Sequence, residues 1–307
     1  MGQVSHTGKR RPGQVSGRRL LRSGAAQLER AGLHYGHGTD NPLDEAAALL
    51  AHARGLRRPI EERDLARPVS ERARRRYREL LRRRIRERVP AVYLTGQCWF
   101  AGVRFHVDER VLIPRSPIAE LIERQFTPWV DPAAVRRIAD LGTGSGCIAL
   151  AAALAFPRAR VDAVDISKDA LAVARINRAA LGLARRVRLV ESDFFARLTG
   201  CRYDIIISNP PYVGTAEFNG LPPEYGHEPA GALRSGRDGM DAVRVLLKRA
   251  VRHLARNGVL IVEVGNTEAR LRRAFPRLPF LWLSFTRGGG GVFLLTAAQL
   301  RAADLGR

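Results

Sequence analysis

The stretch Asp140-Leu141-Gly142-Thr143-Gly144-Ser145-Gly146 most limits what this chain can fold into. Strand-like residues lead into it and an alanine-rich run, residues 146–156, leaves it, so a strand must turn directly into a helix. Three glycines at two-residue spacing permit left-handed backbone and let a ligand approach the start of that helix closely. The Gly-Lys-Ser/Thr of a kinase-type phosphate loop is absent, and the G-x-G-x-x-G dinucleotide pattern does not fit.

The surrounding pattern fixes the class of fold. Strands are predicted at 137–141, 160–165, 187–190, 203–208, 259–264, 281–285 and 292–296, with helices at 146–156, 168–181, 239–255 and 268–275. Alternation of this kind predicts an α/β, Rossmann-like seven-stranded sheet, mostly parallel and covered on both faces. Only Arg287-Gly288-Gly289-Gly290-Gly291 joins the last two strands, too short for a crossover, so the final strand must run antiparallel.

Ahead of this domain, residues 20–94 read as a small all-α domain. Asn41-Pro42 marks a helix start and Ser70 caps a longer helix with Tyr77, Leu80, Leu81 and Ile85 on one face. The other face carries Arg74, Arg75, Arg76, Arg82, Arg83, Arg84, Arg86 and Arg88. Residues 95–115 read as a β-hairpin linker turning at Ala101-Gly102, 116–307 as the α/β domain, and 1–19 as a disordered basic tail.

Composition bounds the function classes. With 45% hydrophobic and 27% charged residues among 307, the chain is neither disordered nor fibrous. Its longest apolar run, residues 147–156, is too short to cross a bilayer. Cys98, Cys147 and Cys201 lack zinc or disulfide spacing and read as reduced thiols. The formal net charge is +22, and all but three of the 52 basic side chains are arginine. That charge predicts attraction to polyanions, although a GC-rich genome alone can enrich arginine. The expected compartment is the bacterial cytoplasm, while the acid-free N-terminal stretch shares its composition with mitochondrial transit peptides and leaves that import open.

Two positions downstream of the glycine turn suggest chemistry. Asp165 ends the second strand, where a carboxylate can bridge both hydroxyls of a ribose. Asn209-Pro210-Pro211-Tyr212 follows the fourth strand. Two prolines fix the backbone, the Pro210 carbonyl and the Asn209 side-chain oxygen offer paired acceptors, and Tyr212 can flank a planar group. Such a pair can hold both N–H groups of a primary amide or exocyclic amine. That nitrogen is a poor nucleophile, so positioning and electrostatics must supply most of the rate. No Ser-His or Cys-His pair is evident, and no metal site.

The glycine motif with its later Asp resembles the class I methyltransferases, which implies S-adenosylmethionine as cofactor, held by Asp140, Gly142, Thr143, Gly144, Ser145, Gly146, Asp165 and Asn209. The resemblance also implies adenine contacts from Asp193 and Phe194 after the third strand. Asn209, Pro210 and Tyr212 would then be catalytic, with Pro211 beside them at the substrate. Arg110-Val111-Leu112-Ile113-Pro114-Arg115, the 99–107 hairpin and His227-Glu228-Pro229 resemble the protein glutamine methyltransferases, a resemblance that spans about residues 20–296. Ser116-Pro117-Ile118, Glu263-Val264-Gly265-Asn266 and the closing Gly-Val-Phe-Leu-Leu-Thr resemble the branch that methylates large-subunit ribosomal protein three; Gly290 departs from it, where an acidic residue is expected. The implied product is N(5)-methylglutamine, and the implied partner a ribosomal protein, free or inside an assembling subunit, with non-specific RNA contact through the arginine-rich helices. A release-factor glutamine methyltransferase and a nucleic-acid amine methyltransferase stay open as alternatives.

Overall fold

A computed structural model describes residues 15–303. Residues 1–14 of the expected tail lie outside them, whereas residues 15–19 are structured. Ser16 pairs with Pro68 and its hydroxyl accepts from the Arg19 N–H, capping a helix that starts at Gly17.

The chain divides into two compact units that meet at Thr95 and Gly96. The first holds α1 (Gly17–Arg30), α2 (Pro42–Ala53), α3 (Glu62–Ala66), α4 (Glu71–Arg86) and the unanticipated short α5 (Ala91–Thr95). The caps follow the sequence: Asn41 Oδ1 accepts from the Asp44 N–H at 2.9 Å and Ser70 Oγ from Ala73 at 3.3 Å. Leu28, Leu49, Leu50, Tyr77 and Leu81 form the centre of its core.

Arg84 corrects the expected basic face. It is 1% exposed, its Nε lies 3.1 Å from both carboxylate oxygens of Glu45, and Nη2 donates to the His34 carbonyl at 2.8 Å. Residue 84 follows Tyr77 by seven and Leu80 by four, so the helical period carries it into the core. Burial raises the Glu45 carboxyl, opposed by Arg84. Four of the remaining eight arginines of α4 are answered by neighbouring carboxylates: Arg74 and Arg78 by Glu71, Arg82 by Glu79, Arg83 by Glu87.

The second unit begins with the hairpin β1 (Gln97–Phe100) and β2 (Val103–His106). It is part of this unit's core and not a linker, because Phe100 and Phe105 pack with Ile118 and Ile148. There follow α6 (Ile118–Glu123), β3 (Arg137–Leu141), α7 (Cys147–Ala155), β4 (Arg160–Asp165), α8 (Lys168–Ala180), β5 (Val187–Glu191) and β6 (Tyr203–Ser208). The chain continues through α9 (Thr215–Asn219), α10 (Ala230–Leu233), α11 (Asp241–Ala250), β7 (Leu254–Glu263), α12 (Glu268–Ala274), β8 (Leu281–Trp282), β9 (Val292–Thr296) and α13 (Ala297–Ala302).

Seven strands lie in the order β5-β4-β3-β6-β7-β9-β8, parallel from β5 to β7, with β9 antiparallel to both neighbours. The central stretches 205–207 of β6 and 259–262 of β7 are wholly apolar and buried because helices cover both faces. Strand β8 stops at Trp282, short of the expected residue 285. Beyond it the Thr286 and Arg287 N–H groups donate to the Glu120 carboxylate at 3.1 and 2.8 Å, which draws that backbone away from the ladder.

Candidate active site

After β3 the chain runs outward to β4 and β5, then returns to β6 on the other side. The order of strands therefore reverses beside β3, and open α/β sheets bind ligands at the carboxyl ends of strands at such a point. Leu141 and Ser208 are register partners there. The glycine turn leaves β3 and the proline loop leaves β6 as neighbours: a Cβ on Gly142 would stand 3.8 Å from the Asn209 carbonyl oxygen and 4.0 Å from Pro210 Cα.

The turn uses its glycines as the spacing requires. Gly142, Gly144 and Gly146 have φ of 76°, 55° and 81°. Gly142 and Thr143 donate their N–H groups to the Val164 carbonyl on β4. Gly144 has open space where a side chain would stand. Asp140 is fully buried; one carboxylate oxygen accepts from Thr143 Oγ1 at 2.6 Å and from the Ala149 N–H at 3.0 Å. Burial pushes its carboxyl up to about 7 against those two hydrogen bonds, and the nearby Asp165 charge adds to the rise. Thr143 and Ser145 are likewise buried. These three side chains build the turn from inside.

Asp165 reaches the turn from β4. Its Oδ2 accepts from the Gly144 N–H at 2.8 Å and Oδ1 from Ser167 at 2.9 Å, while burial raises the carboxyl. Its carbonyl accepts from Ser192, tying down the loop after β5. On that loop Asp193 is exposed, and Phe194 sits at φ 44° against the core.

The Asn209 Oδ1 is buried and has no hydrogen-bond partner among the described residues. Tyr212 is held on three sides: a Cβ on Gly265 would lie 2.5 Å from its ring, a Cβ on Gly239 would collide with its carbonyl, and its phenol lies 3.4 Å from Glu263 Oε1. Glu263, at the end of β7, also accepts from Ser116 Oγ at 2.5 Å. Burial pushes its carboxyl up to about 7, opposed by Ser116, Tyr212 and Arg115, and burial likewise drives the Tyr212 phenol upward. Arg115 makes a two-pronged pair with Glu228, at 2.6 and 2.8 Å, and Glu228 also accepts from the Ile113 N–H. The segments 110–116 and 227–229, far apart in sequence, are thus joined, and Glu228 braces the loop.

Two residues at the site carry weaker sequence signals. Ile166 is 70% exposed directly after Asp165; an apolar residue beside a strand-end acid is the available clue. Asn177, buried on α8, clasps both backbone groups of His106 at 2.7 and 2.8 Å and donates to the Ser145 carbonyl at 2.9 Å, docking the hairpin on the glycine turn. Asparagine inside a helix is a faint hint of such a job. Gly290, the departure from the branch pattern, faces open space, whereas a Cβ on Gly291 would strike the Gly265 carbonyl.

The sheet order, the glycine turn and the proline loop together define a class I methyltransferase. Residues 124–220 match the Methyltransferase small domain and residues 19–96 the PrmC N-terminal domain. The chain is 48% identical over 286 residues to the ribosomal protein uL3 glutamine methyltransferase of Bordetella pertussis, covering 92% of this chain and 95% of that one. It is 46% identical over 293 residues to that of Burkholderia pseudomallei, at 93% and 95% coverage. The chain belongs to the family of ribosomal protein uL3 glutamine methyltransferases. Among solved structures, a methyltransferase from Pyrococcus furiosus is 19% identical, covering 73% of this chain and 98% of that one with a TM-score of 0.45.

Proposed function

We propose that this enzyme transfers a methyl group from S-adenosylmethionine to the side-chain amide nitrogen of a glutamine in ribosomal protein uL3. The observation that carries the reading is the buried, unpartnered Asn209 Oδ1 beside the glycine turn. A buried acceptor without a donor costs on the order of 1–3 kcal/mol, which a donated amide N–H recovers.

The residues present fit the cofactor. The left-handed glycines and the open side of Gly144 leave room for it, and Asp165 is the carboxylate for its ribose. Asp193, Phe194 and the exposed Ile166 frame the place for adenine, while Asp140, Thr143 and Ser145 serve through the main chain of the turn they hold. When bound, S-adenosylmethionine supplies a sulfonium methyl as electrophile.

The chain itself then does the orienting. Asn209 Oδ1 and the Pro210 carbonyl accept one amide N–H each, which turns the nitrogen lone pair towards the methyl. The same two acceptors stabilise positive charge as it grows on that nitrogen. Pro211 and the clamped Tyr212 flank the amide plane and keep water from it. No base removes a proton before attack, in keeping with the very weak acidity of an amide. The N-methylated, positively charged amide formed on transfer is strongly acidic and gives up one N–H proton to solvent, with the thioether of the donor as the leaving group. The setting is the bacterial cytoplasm, with the ribosomal protein met free or within an assembling subunit, and the arginines of α4 without a carboxylate partner give the helical unit an RNA contact there.

Labelled S-adenosylmethionine, added with the enzyme to an extract of cells lacking it, tests this directly. The expected label is in one protein band of ribosomal-protein size, lost to protease; label lost to nuclease would make the substrate nucleic acid.

A further inference from the structure

The catalytic unit is electrically two-ended. Carboxylates sit at or beside the carboxyl ends of its strands: Asp140, Asp165, Glu191 and Glu263. Arginines crowd the opposite end, where Arg160 opens β4, Arg136 precedes β3, Arg202 precedes β6 and Arg256 is the third residue of β7. Arg158, before β4, and Arg301, on α13, complete the group, and all six are exposed.

These six differ from the α4 arginines that are paired with Glu71, Glu79 and Glu87. Among the described residues none of them has a carboxylate within ion-pair distance. Among the described residues, the carboxylates at this end are engaged by other groups, Asp131 accepting from the Ala133 N–H. Asp162 takes both prongs of Arg188 and the Tyr203 hydroxyl, and Asp204 accepts from the main-chain N–H groups of Arg136 and Arg137.

Three of the six are instead steadied by main-chain carbonyls. Arg136 donates to Ala133 and Val135 at 2.6 and 3.0 Å, Arg301 to Arg256 and Ala255 at 3.3 and 3.4 Å, and Arg202 to Leu254 at 3.4 Å. A carbonyl restrains a guanidinium without cancelling its charge, and the remaining N–H groups stay directed at an outside acceptor. From β4 to β9 the row crosses four strand spacings, roughly 19 Å. A row of forked, uncompensated cations of that length matches a run of phosphates.

We propose that the strand-start end of the catalytic unit is a docking surface for the phosphate backbone of RNA, on the side of the sheet away from the glycine turn. The surface holds RNA without reading its sequence and leaves the site end free. Its binding is read without methyl transfer, so it stands or falls apart from the proposed function.

The test uses the full-length enzyme, a fluorescent RNA duplex, and anisotropy titrations over a range of salt. Arg136→Glu/Arg160→Glu/Arg256→Glu should weaken binding about tenfold or more at low salt and reduce the slope of log affinity on log salt by roughly 2 to 3. A glutamine triple at the same positions should show the same loss of slope, which guards against a folding defect from charge reversal. Arg82→Glu/Arg83→Glu on α4, whose partners are internal, should change affinity less than about threefold. Equal binding by wild type and both triples would overturn the proposal. So would a larger loss in the α4 variant, or binding of wild type to anionic phospholipid vesicles and not to RNA.

Discussion

The Ser208 hydroxyl donates to the Leu141 carbonyl at 2.6 Å, a bond between register partners at the carboxyl ends of β6 and β3. This contact sets the proline loop beside the glycine turn, and the chemistry proposed above depends on their separation. The first loop brings acceptors for an amide, the second a cradle for the methyl donor.

Asn209→Ala should lower kcat by about a hundredfold or more, the scale of losing a preorganised acceptor aimed at developing charge. Cofactor affinity, measured by calorimetry, should stay within about threefold. Retained turnover would remove Asn209 from the mechanism.

Asp165→Ala should act the other way. It removes both the ribose acceptor and the partner of the Gly144 N–H, so the dissociation constant for S-adenosylmethionine should rise roughly 10- to 100-fold. At saturating cofactor, most of kcat should return.

Arg84→Ala should destabilise the helical unit by about 3–5 kcal/mol, because it strands the buried Glu45 carboxylate. Arg82→Ala, two residues away on the exposed side, should leave stability nearly unchanged, because its pair with Glu79 is solvated. Denaturant unfolding of the two variants checks the contrast.

Glu263 gives a pH dependence whose sign is fixed by its raised carboxyl, about 7 in the folded chain against an ordinary value near 4.5. Between those values the folded state holds the proton and the unfolded state does not, so this group's stabilisation is greatest in acid and falls as pH rises towards 7. The slope can reach about 1.4 kcal/mol per pH unit. Asp140, raised to about 7 in the same way, adds to it. Glu263→Gln should flatten the profile between about pH 4.5 and 7; an unchanged slope would show that Glu263 ionises normally.

Gly290→Glu restores the acidic residue of the branch pattern in open space and should shift stability by no more than about 0.5 kcal/mol. Gly291→Ala, with φ 65° and the Gly265 carbonyl in the way, should cost several times more. Thermal melts of both variants decide this.

Much of the frame was legible because strand and helix periods agree with burial. Four of the seven strands, β3, β4, β6 and β9, have the predicted bounds, and the glycine run before β9 carried enough information to fix its direction. The cluster around Tyr212 was legible only as motifs: Ser116, Glu228 and Glu263 were marked by resemblance, while their partnerships with Glu263, Arg115 and Tyr212 span 51 to 147 residues of chain. Arg84 escaped because its residue type points to solvent and only its helical phase points inward. The hairpin read as a linker because alternation along Trp99 to Val107 does not reveal what its inner face packs on. Asn177 and the carbonyl-anchored arginines are defined by tertiary geometry, which no local pattern encodes.

The most direct test of the account is tandem mass spectrometry of purified ribosomal protein uL3 after incubation with the enzyme and labelled S-adenosylmethionine. The account predicts one added methyl on the side-chain nitrogen of a glutamine, absent when Asn209→Ala replaces the wild type. Label on another residue type, or glutamine methylation undiminished in Asn209→Ala, would contradict it.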